Sequence, residues 1–375
     1  MSVNLIVLVG FLLLMLFVGY LANRKNKKND IAEYFLVSRS LGIFLCVGTF
    51  GATFLGAGSF IGNTGMIYSN GLPFVLLMIC AVFAILFLTC MYVPKYWRFG
   101  YYNDCLSMAD MFAERYDPKL SRAFFSIVIL IVFTSGVGAM LLGLNAVWGY
   151  ITDLPLLAIT GLSALVILAY SVSGGARGVT WTDTACLVIM VVGLFVIGAR
   201  IFGVVESFDS LLTAFASVPE VEGRPWQSGQ ALVSLTNSFF VPSFLLTWGA
   251  AMCVNNSVTA DTITRTYMAK NERVARISVA ICMFIIVFTH LVTAFIAVYA
   301  RVNYPALGKA DFAFPSVVLD TLPEFWAAIV LIAIVAAIFS SASTLLIICG
   351  QCVGYDIYSK LIKPDATETS TPSSL

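Results

Sequence analysis

The chain has 375 residues, of which 60% are hydrophobic and 11% charged, with a formal net charge of +1. A soluble domain covers its surface with roughly 25% charged residues, so a soluble globular fold is excluded. A near-neutral chain with no repeated pattern of Lys/Arg and aromatics gives no electrostatic case for nucleic acid.

Spanning a bilayer takes about 20 consecutive apolar residues per helix. Taken in chain order, nine such spans are predicted at about 3–22, 41–68, 73–93, 123–148, 155–171, 183–203, 233–253, 277–300 and 325–353. The runs are continuous and lack period-2 alternation, which excludes a barrel. Helices satisfy their own backbone in lipid, so the spans are expected to be helical. The first run lacks a basic leader and a small-residue cleavage site, and reads as a first helix, not a removed signal.

Of the 21 Lys and Arg residues, 17 fall in the loops after spans 1, 3, 5 and 7 and in the tail; Arg200, Arg224, Arg301 and Lys309 fall on the other side. The positive-inside rule then puts the N-terminus outside and the C-terminus in the cytoplasm. The nine cysteines sit mostly inside apolar runs and read as small packing residues, including the Cys349/Cys352 pair.

Two spans are unusual. Span 2 carries Gly48, Gly51, Gly56, Gly58, Gly62 and Gly65. Glycine at this density supports either close helix packing or a broken helix whose carbonyls line a cavity. Span 7 ends in the polar stretch Cys253–Thr259, either a helix end reaching water or a second break. Interrupted helices of opposite direction are the signature of an inverted-repeat transporter.

The stretches 41–93 and 123–150 contain no ionisable acid or base. Proton-coupled carriers place carboxylates or histidines at membrane depth; here the one histidine, His290, reads as a packing residue. A small hard cation can instead be held by neutral oxygens, and span 9 clusters Ser340, Ser341, Ser343 and Thr344. Interhelical hydrogen bonding is the structural alternative for these hydroxyls. No nucleophile–base constellation or phosphate loop is present, so no enzyme activity is expected.

The stretch from Tyr170 to Asp183, YSVSGGARGVTWTD, resembles the signature of the sodium:solute symporter family, which includes sodium/pantothenate, sodium/proline and sodium/glucose carriers. Glu33–Leu36 with Ser38-Arg39-Ser40, Thr264-Arg265-Thr266, and Ala336–Ser341 with Asp356-Ile357-Tyr358 are also similar to family stretches, so the resemblance runs from about Ile31 to Tyr358. It implies an all-α polytopic membrane protein of the LeuT-type inverted-repeat fold. One transporter domain is expected over 1–358, with a leading helix (3–22), a first repeat (41–203) and a partial second repeat (233–353), then a polar cytoplasmic tail (359–375). Carried over by position, the resemblance implies sodium ligation by the carbonyls of Ala52, Leu55 and Ala337 and the hydroxyls of Ser340 and Ser341. It implies a place on the sodium path for Asp183, whose simpler reading is a helix N-terminal carboxylate. Ser59, Asn255, Asn256 and Ser257 fall where family members contact substrate.

Two departures are visible. Cys186 stands where the signature commonly has Gln, and Phe54 stands where proline carriers have an acid, which turns the expectation away from proline. The region around span 2 looks most like the pantothenate carriers and points to a small carboxylate. The family fold needs at least two helices beyond span 9, so the resemblance also implies a C-terminally truncated chain. The expected function is sodium-coupled symport of a small organic solute across the plasma (inner) membrane by alternating access. The alternatives are a truncated homologue acting as sensor, partner subunit or inert fragment, and a proton-coupled carrier on the same fold.

Overall fold

The computed structural model describes residues 3–24, 31–56, 58–151, 155–205, 207–219 and 224–363. Among them no strand forms beyond an isolated bridge between Leu41 and Ala269. The helices are α1 (Val3–Asn23), α2 (Ile31–Leu36), α3 (Ile43–Phe54), α4 (Asn63–Asn70), α5 (Leu72–Tyr102), α6 (Met108–Ala113), α7 (Pro118–Ile151) and α8 (Leu156–Val204), then α9 (Phe208–Ala216), α10 (Gln230–Val233), α11 (Pro242–Val258), α12 (Ala260–Met268), α13 (Glu272–Asn303), α14 (Ala313–Thr321) and α15 (Glu324–Gln351). A wider turn continues α15 through Cys352–Ile362, so the first residues expected in a polar tail are helical; the rest of that tail, from 364 on, lies outside the described residues.

Among the described residues, five helices are long and apolar enough to cross a membrane, six if the bent pair α3–α4 is one span. The difference from nine has three sources. The expected spans 5 and 6 are the two helical halves of α8, which run into each other without a loop and meet at a kink at Gly175 (φ 55, ψ −156). A side chain rarely adopts that conformation, and a Cβ there would lie 2.9 Å from the Tyr34 carbonyl oxygen. Arg177 lies two residues beyond this junction, in the first turn of the second half of α8. The other two sources are a short apolar stretch in α1, Ile6–Ala22, and the 17 residues of α11.

Span 2 combines both of its readings. In α3, Gly48 and Gly51 are packing residues: added Cβ atoms would come within 2.0 Å of Thr184 Oγ1 and 2.7 Å of Leu187 Cδ2. Beyond Phe54 the helix breaks, and α4 departs from α3 by 56°. Span 7 is also broken: Thr259 is extended (φ −70, ψ 149) between α11 and α12.

The centre of the bundle is α15. It is apolar around its whole circumference, as a fully enclosed helix must be, and packs on α8, α7, α1 and α3. Its most apolar stretch is 89% buried, against 11% for that of α7. Outward-facing side chains such as Leu157, Leu246 and Leu142 are more than two-thirds exposed, an apolar surface suited to lipid.

Candidate functional site

The site grows from the break in α3. A helix that stops leaves its last carbonyls without intrahelical partners, and α3 stops at Phe54 with Leu55 in a non-helical conformation and fully buried. Facing it is α15. Ser340 Oγ donates to the Ala52 carbonyl at 3.3 Å and to the Ala337 carbonyl at 3.1 Å. Ser341 Oγ is buried with no hydrogen-bond partner among the described residues, and it lies 3.2 Å from where a Gly56 Cβ would sit. Ala52, Ala337, Ser340 and Ser341 thus meet across two helices, with Leu55 beside them in the chain. The donor set is carbonyl and hydroxyl oxygen alone, which fits a small hard cation, and an orphaned buried hydroxyl is the mark of a missing partner.

Below this point lies a buried ion pair. Asp183 Oδ2 accepts from Thr49 Oγ1 at 2.8 Å and from Arg265 Nη2 at 2.9 Å. Arg265 also donates through Nε to the Thr49 carbonyl at 2.9 Å and through Nη2 to Thr344 Oγ1. Thr344 Oγ1 in turn donates to the Ser340 carbonyl at 3.0 Å. One guanidinium therefore ties α3, α8, α12 and α15 together directly beside the hydroxyl pair. Asp183 is well inside the second half of α8, so its simpler reading as a helix N-terminal carboxylate does not hold. Its Oδ1 has no partner.

The stretches that carry the family resemblance meet in space through charge. Arg177 of the signature donates through Nε to Glu33 Oε1 at 2.8 Å, while Ser38 Oγ donates to Glu33 Oε2 at 2.6 Å. Asp356, after α15, accepts from Ser107 Oγ at 2.6 Å and from Arg122 Nη1 at 3.2 Å, and Arg122 also bonds Asp110. Nearby, Arg39 Nη2 donates to the carbonyls of Gly100 at 2.8 Å and Cys105 at 2.9 Å. Burial pushes the Cys105 thiol up to about 12, so it stays a neutral packing group.

On the other side of the break a cavity of about 490 Å³ opens among α3, α4, α5, α11 and α13. Ser59 and Asn256 line it; Asn255 and Ser257 do not. Asn255 is exposed, and Ser257 is buried with its Oγ 3.5 Å from Thr89 Oγ1. The structure thus gathers two of the four expected substrate residues, because successive positions on a helix point in different directions. Asn63 and His290 also line the cavity. His290 is not the satisfied packing residue expected: its Nδ1 has no partner. The signal available beforehand was its place on the apolar face of α13 with Met283 and Ile286, at helical spacing.

The broken α3–α4 and α11–α12 helices, with oxygens gathered at the first break and a cavity beside it, define a transporter of the LeuT-type inverted-repeat fold. A solved sodium-coupled sialic acid symporter, in a substrate-bound outward-open state, shares this architecture, with a TM-score of 0.80 at 18% identity over 99% of this chain and 77% of that one. The chain is 27% identical to the sodium/pantothenate symporter of Escherichia coli (strain K12) over 97% of its own length and 74% of the relative's. It is 22% identical to sodium/glucose cotransporter 1 of Sus scrofa over 96% of its own length and 59% of the relative's. The model of the sodium:solute symporter family matches residues 34–373. The chain belongs to that family, in which the coupling ion is sodium.

Proposed function

We propose that the protein takes part in sodium-coupled symport of a small organic solute, with a carboxylate such as pantothenate as the favoured class. Sodium sits among the carbonyls of Ala52, Leu55 and Ala337 and the hydroxyls of Ser340 and Ser341. The solute occupies the adjoining cavity against Ser59 and Asn256, and Asp183 lies on the inward path of the ion. The observation that carries this reading is Ser341 Oγ, buried and unpartnered on α15 beside the broken end of α3. The E. coli pantothenate symporter among its relatives favours a carboxylate solute.

Bound sodium holds the broken helix against α15 and favours the state open to the outside. Solute then closes the cavity, and the two leave inward as the bundle rocks. The membrane potential adds about 2.3 kcal/mol per charge per 100 mV. The N-terminus lies outside and the C-terminus in the cytoplasm, in the plasma (inner) membrane. No covalent step enters the cycle.

The test is uptake of pantothenate, glucose, proline and lactate by reconstituted protein, with and without a sodium gradient. Sodium-driven uptake of at least one, lost in the double variant Ser340→Ala with Ser341→Ala, is expected. Uptake that ignores sodium for all four, or sodium dependence that survives the double variant, sinks the assignment.

A further inference from the structure

The cavity wall supplied by α13 is apolar except at one place. Met283, Ile286 and His290 share a face of this helix and all line the cavity. His290 is the single histidine of the chain and is 8% exposed. None of the described residues lining the cavity carries a formal charge, so an imidazolium there has no counter-ion among them, and burying an unpaired charge is costly. A neutral imidazole has one N–H and one bare nitrogen. Nδ1 is shut away with no hydrogen-bond partner, so the proton is assigned to Nε2, the ring nitrogen left for the cavity.

We propose that the Nε2–H of His290 is the hydrogen-bond donor that fixes an acceptor oxygen of the solute on the α13 wall, which makes His290 a specificity-determining residue. This inference rests on the cavity being the solute site. It also narrows the solute class. The cavity brings a few polar side chains, Ser59, Asn63, Asn256 and His290, into a lining that is otherwise apolar, with Met66, Met78, Met283 and Ile286 among the rest. A solute that matches carries a few oxygen functions on a largely apolar frame. A sugar, with a hydroxyl on nearly every carbon, buries hydroxyls against methionine and isoleucine with no partner, and unpaired buried polar groups are what a site of this kind rejects.

The test uses the intact protein with two variants, His290→Phe and His290→Gln. Phenylalanine keeps the ring volume and removes the donor; glutamine restores a donor near the Nε2 position. In sodium-driven uptake of the four-solute panel, His290→Phe is expected to raise KM for the transported acid about tenfold, the loss of one hydrogen bond. His290→Gln recovers most of it, and the sodium concentration for half-saturation stays where it is in the unaltered protein. Because there is one histidine, 15N-histidine labelling gives signals from this ring alone. The Nε2–H form at neutral pH, with a shift in the Nε2 signal on adding the transported acid, is the expected result. An unchanged KM in His290→Phe, or a ring carrying its proton on Nδ1, overturns the inference while leaving sodium-coupled transport intact. Absence of sodium-driven uptake for the whole panel in the unaltered protein strikes the transport reading itself, and this inference with it.

Discussion

The two broken helices differ in how far they bond beyond themselves. At the second break, between α11 and α12, the hydroxyl and amide side chains bond within the break, although Asp261 Oδ1 is left buried without a partner among the described residues. Thr259 Oγ1 donates to Thr262 Oγ1 at 3.0 Å, Thr262 Oγ1 donates to the Asn256 carbonyl at 3.0 Å, and Asn256 Nδ2 donates to the Met252 carbonyl at 2.8 Å. At the first break Ser59 Oγ closes on the Phe54 carbonyl at 3.3 Å, but the Ala52 carbonyl turns to another helix and takes a bond from Ser340 of α15, where the neighbouring Ser341 hydroxyl has no partner among the described residues. A break that bonds within itself is a wall or a hinge. A break that leaves oxygens open toward a buried helix has coordination capacity to spare. Sequence patterns alone make the two look alike; the hydrogen bonds separate them.

Arg265 links the breaks, since it rises from α12 to the Thr49 carbonyl of α3 and pairs with Asp183. The largest stability effect is therefore expected from Arg265→Leu, which leaves the fully buried Asp183 carboxylate uncompensated. Breaking such a pair costs about 3–5 kcal/mol, whereas replacing both partners by apolar groups is often neutral. Thermal unfolding in detergent should show a large drop for Arg265→Leu and substantial recovery in Arg265→Leu with Asp183→Leu. If the single variant unfolds no earlier than Arg98→Leu, whose ion pair with Glu272 is exposed, the two breaks are not tied in this way.

The next effect tests the packing half of the first broken helix. Gly48→Ala places a Cβ 2.0 Å from Thr184 Oγ1 and 2.8 Å from Thr184 Cα. The second of these is backbone and cannot rotate away, so a loss of about 1–3 kcal/mol is expected from overpacking. Gly58→Ala, within the break, meets nothing within 4 Å and should leave the unfolding temperature near that of the unaltered protein. Equal losses at both positions would mean that α3 does not pack on α8 as closely as the structure has it.

This pair also shows how much was legible beforehand. Apolar length alone marks the helical segments and the membrane, because composition decides them without partners. Glycine density flagged span 2 but could not divide it, since Gly48 as a packing surface and Gly58 in a break are the same residue type; only the helix opposite distinguishes them. The short polar stretch between spans 5 and 6 reads as a loop, whereas the two helical halves of α8 meet directly at the Gly175 kink, a backbone conformation that residue type alone does not reveal. The ion pairs were out of reach for another reason. Asp183 and Arg265 are 82 residues apart, and spacing along the chain carries no information about side chains that meet across a bundle. The hydroxyl pair Ser340 and Ser341 was legible, since four hydroxyls in five residues of an apolar helix stand out. The apolar face of α13 around His290 reads as core, yet an apolar face can line a cavity as well as a core, and this one does.

A smaller effect isolates the second break. Thr262→Val keeps the shape and removes the hydroxyl that bonds the Asn256 carbonyl, so a loss of about 1 kcal/mol is expected. The informative measurement is the stabilisation by sodium, read as the rise in unfolding temperature on replacing potassium by sodium. It should match that of the unaltered protein, because none of the lost bonds touches α15. A reduced sodium response in Thr262→Val would mean that the second break shares in ion binding and that the contrast between them fails.

The smallest stability effect belongs to the residue with the largest consequence. In the absence of sodium, Ser341→Ala removes a hydroxyl that bonds nothing in the protein, so its unfolding temperature should stay close to the original or rise slightly as an unsatisfied group disappears. Adding sodium should then separate the two. A ligand present at about 100 times its dissociation constant stabilises the folded state by about 2.7 kcal/mol, and that increment should be lost or cut sharply in the variant. Ser343→Ala is the control from the same cluster: Ser343 Oγ donates to the Ser340 carbonyl at 3.0 Å, so the variant should lose about 1 kcal/mol and still respond to sodium. A hydroxyl that stabilises without sensing sodium beside one that senses sodium without stabilising is the pattern expected if the open oxygens of the first break are there for an ion. Indistinguishable sodium responses in Ser341→Ala and Ser343→Ala would reduce the cluster to interhelical hydrogen bonding.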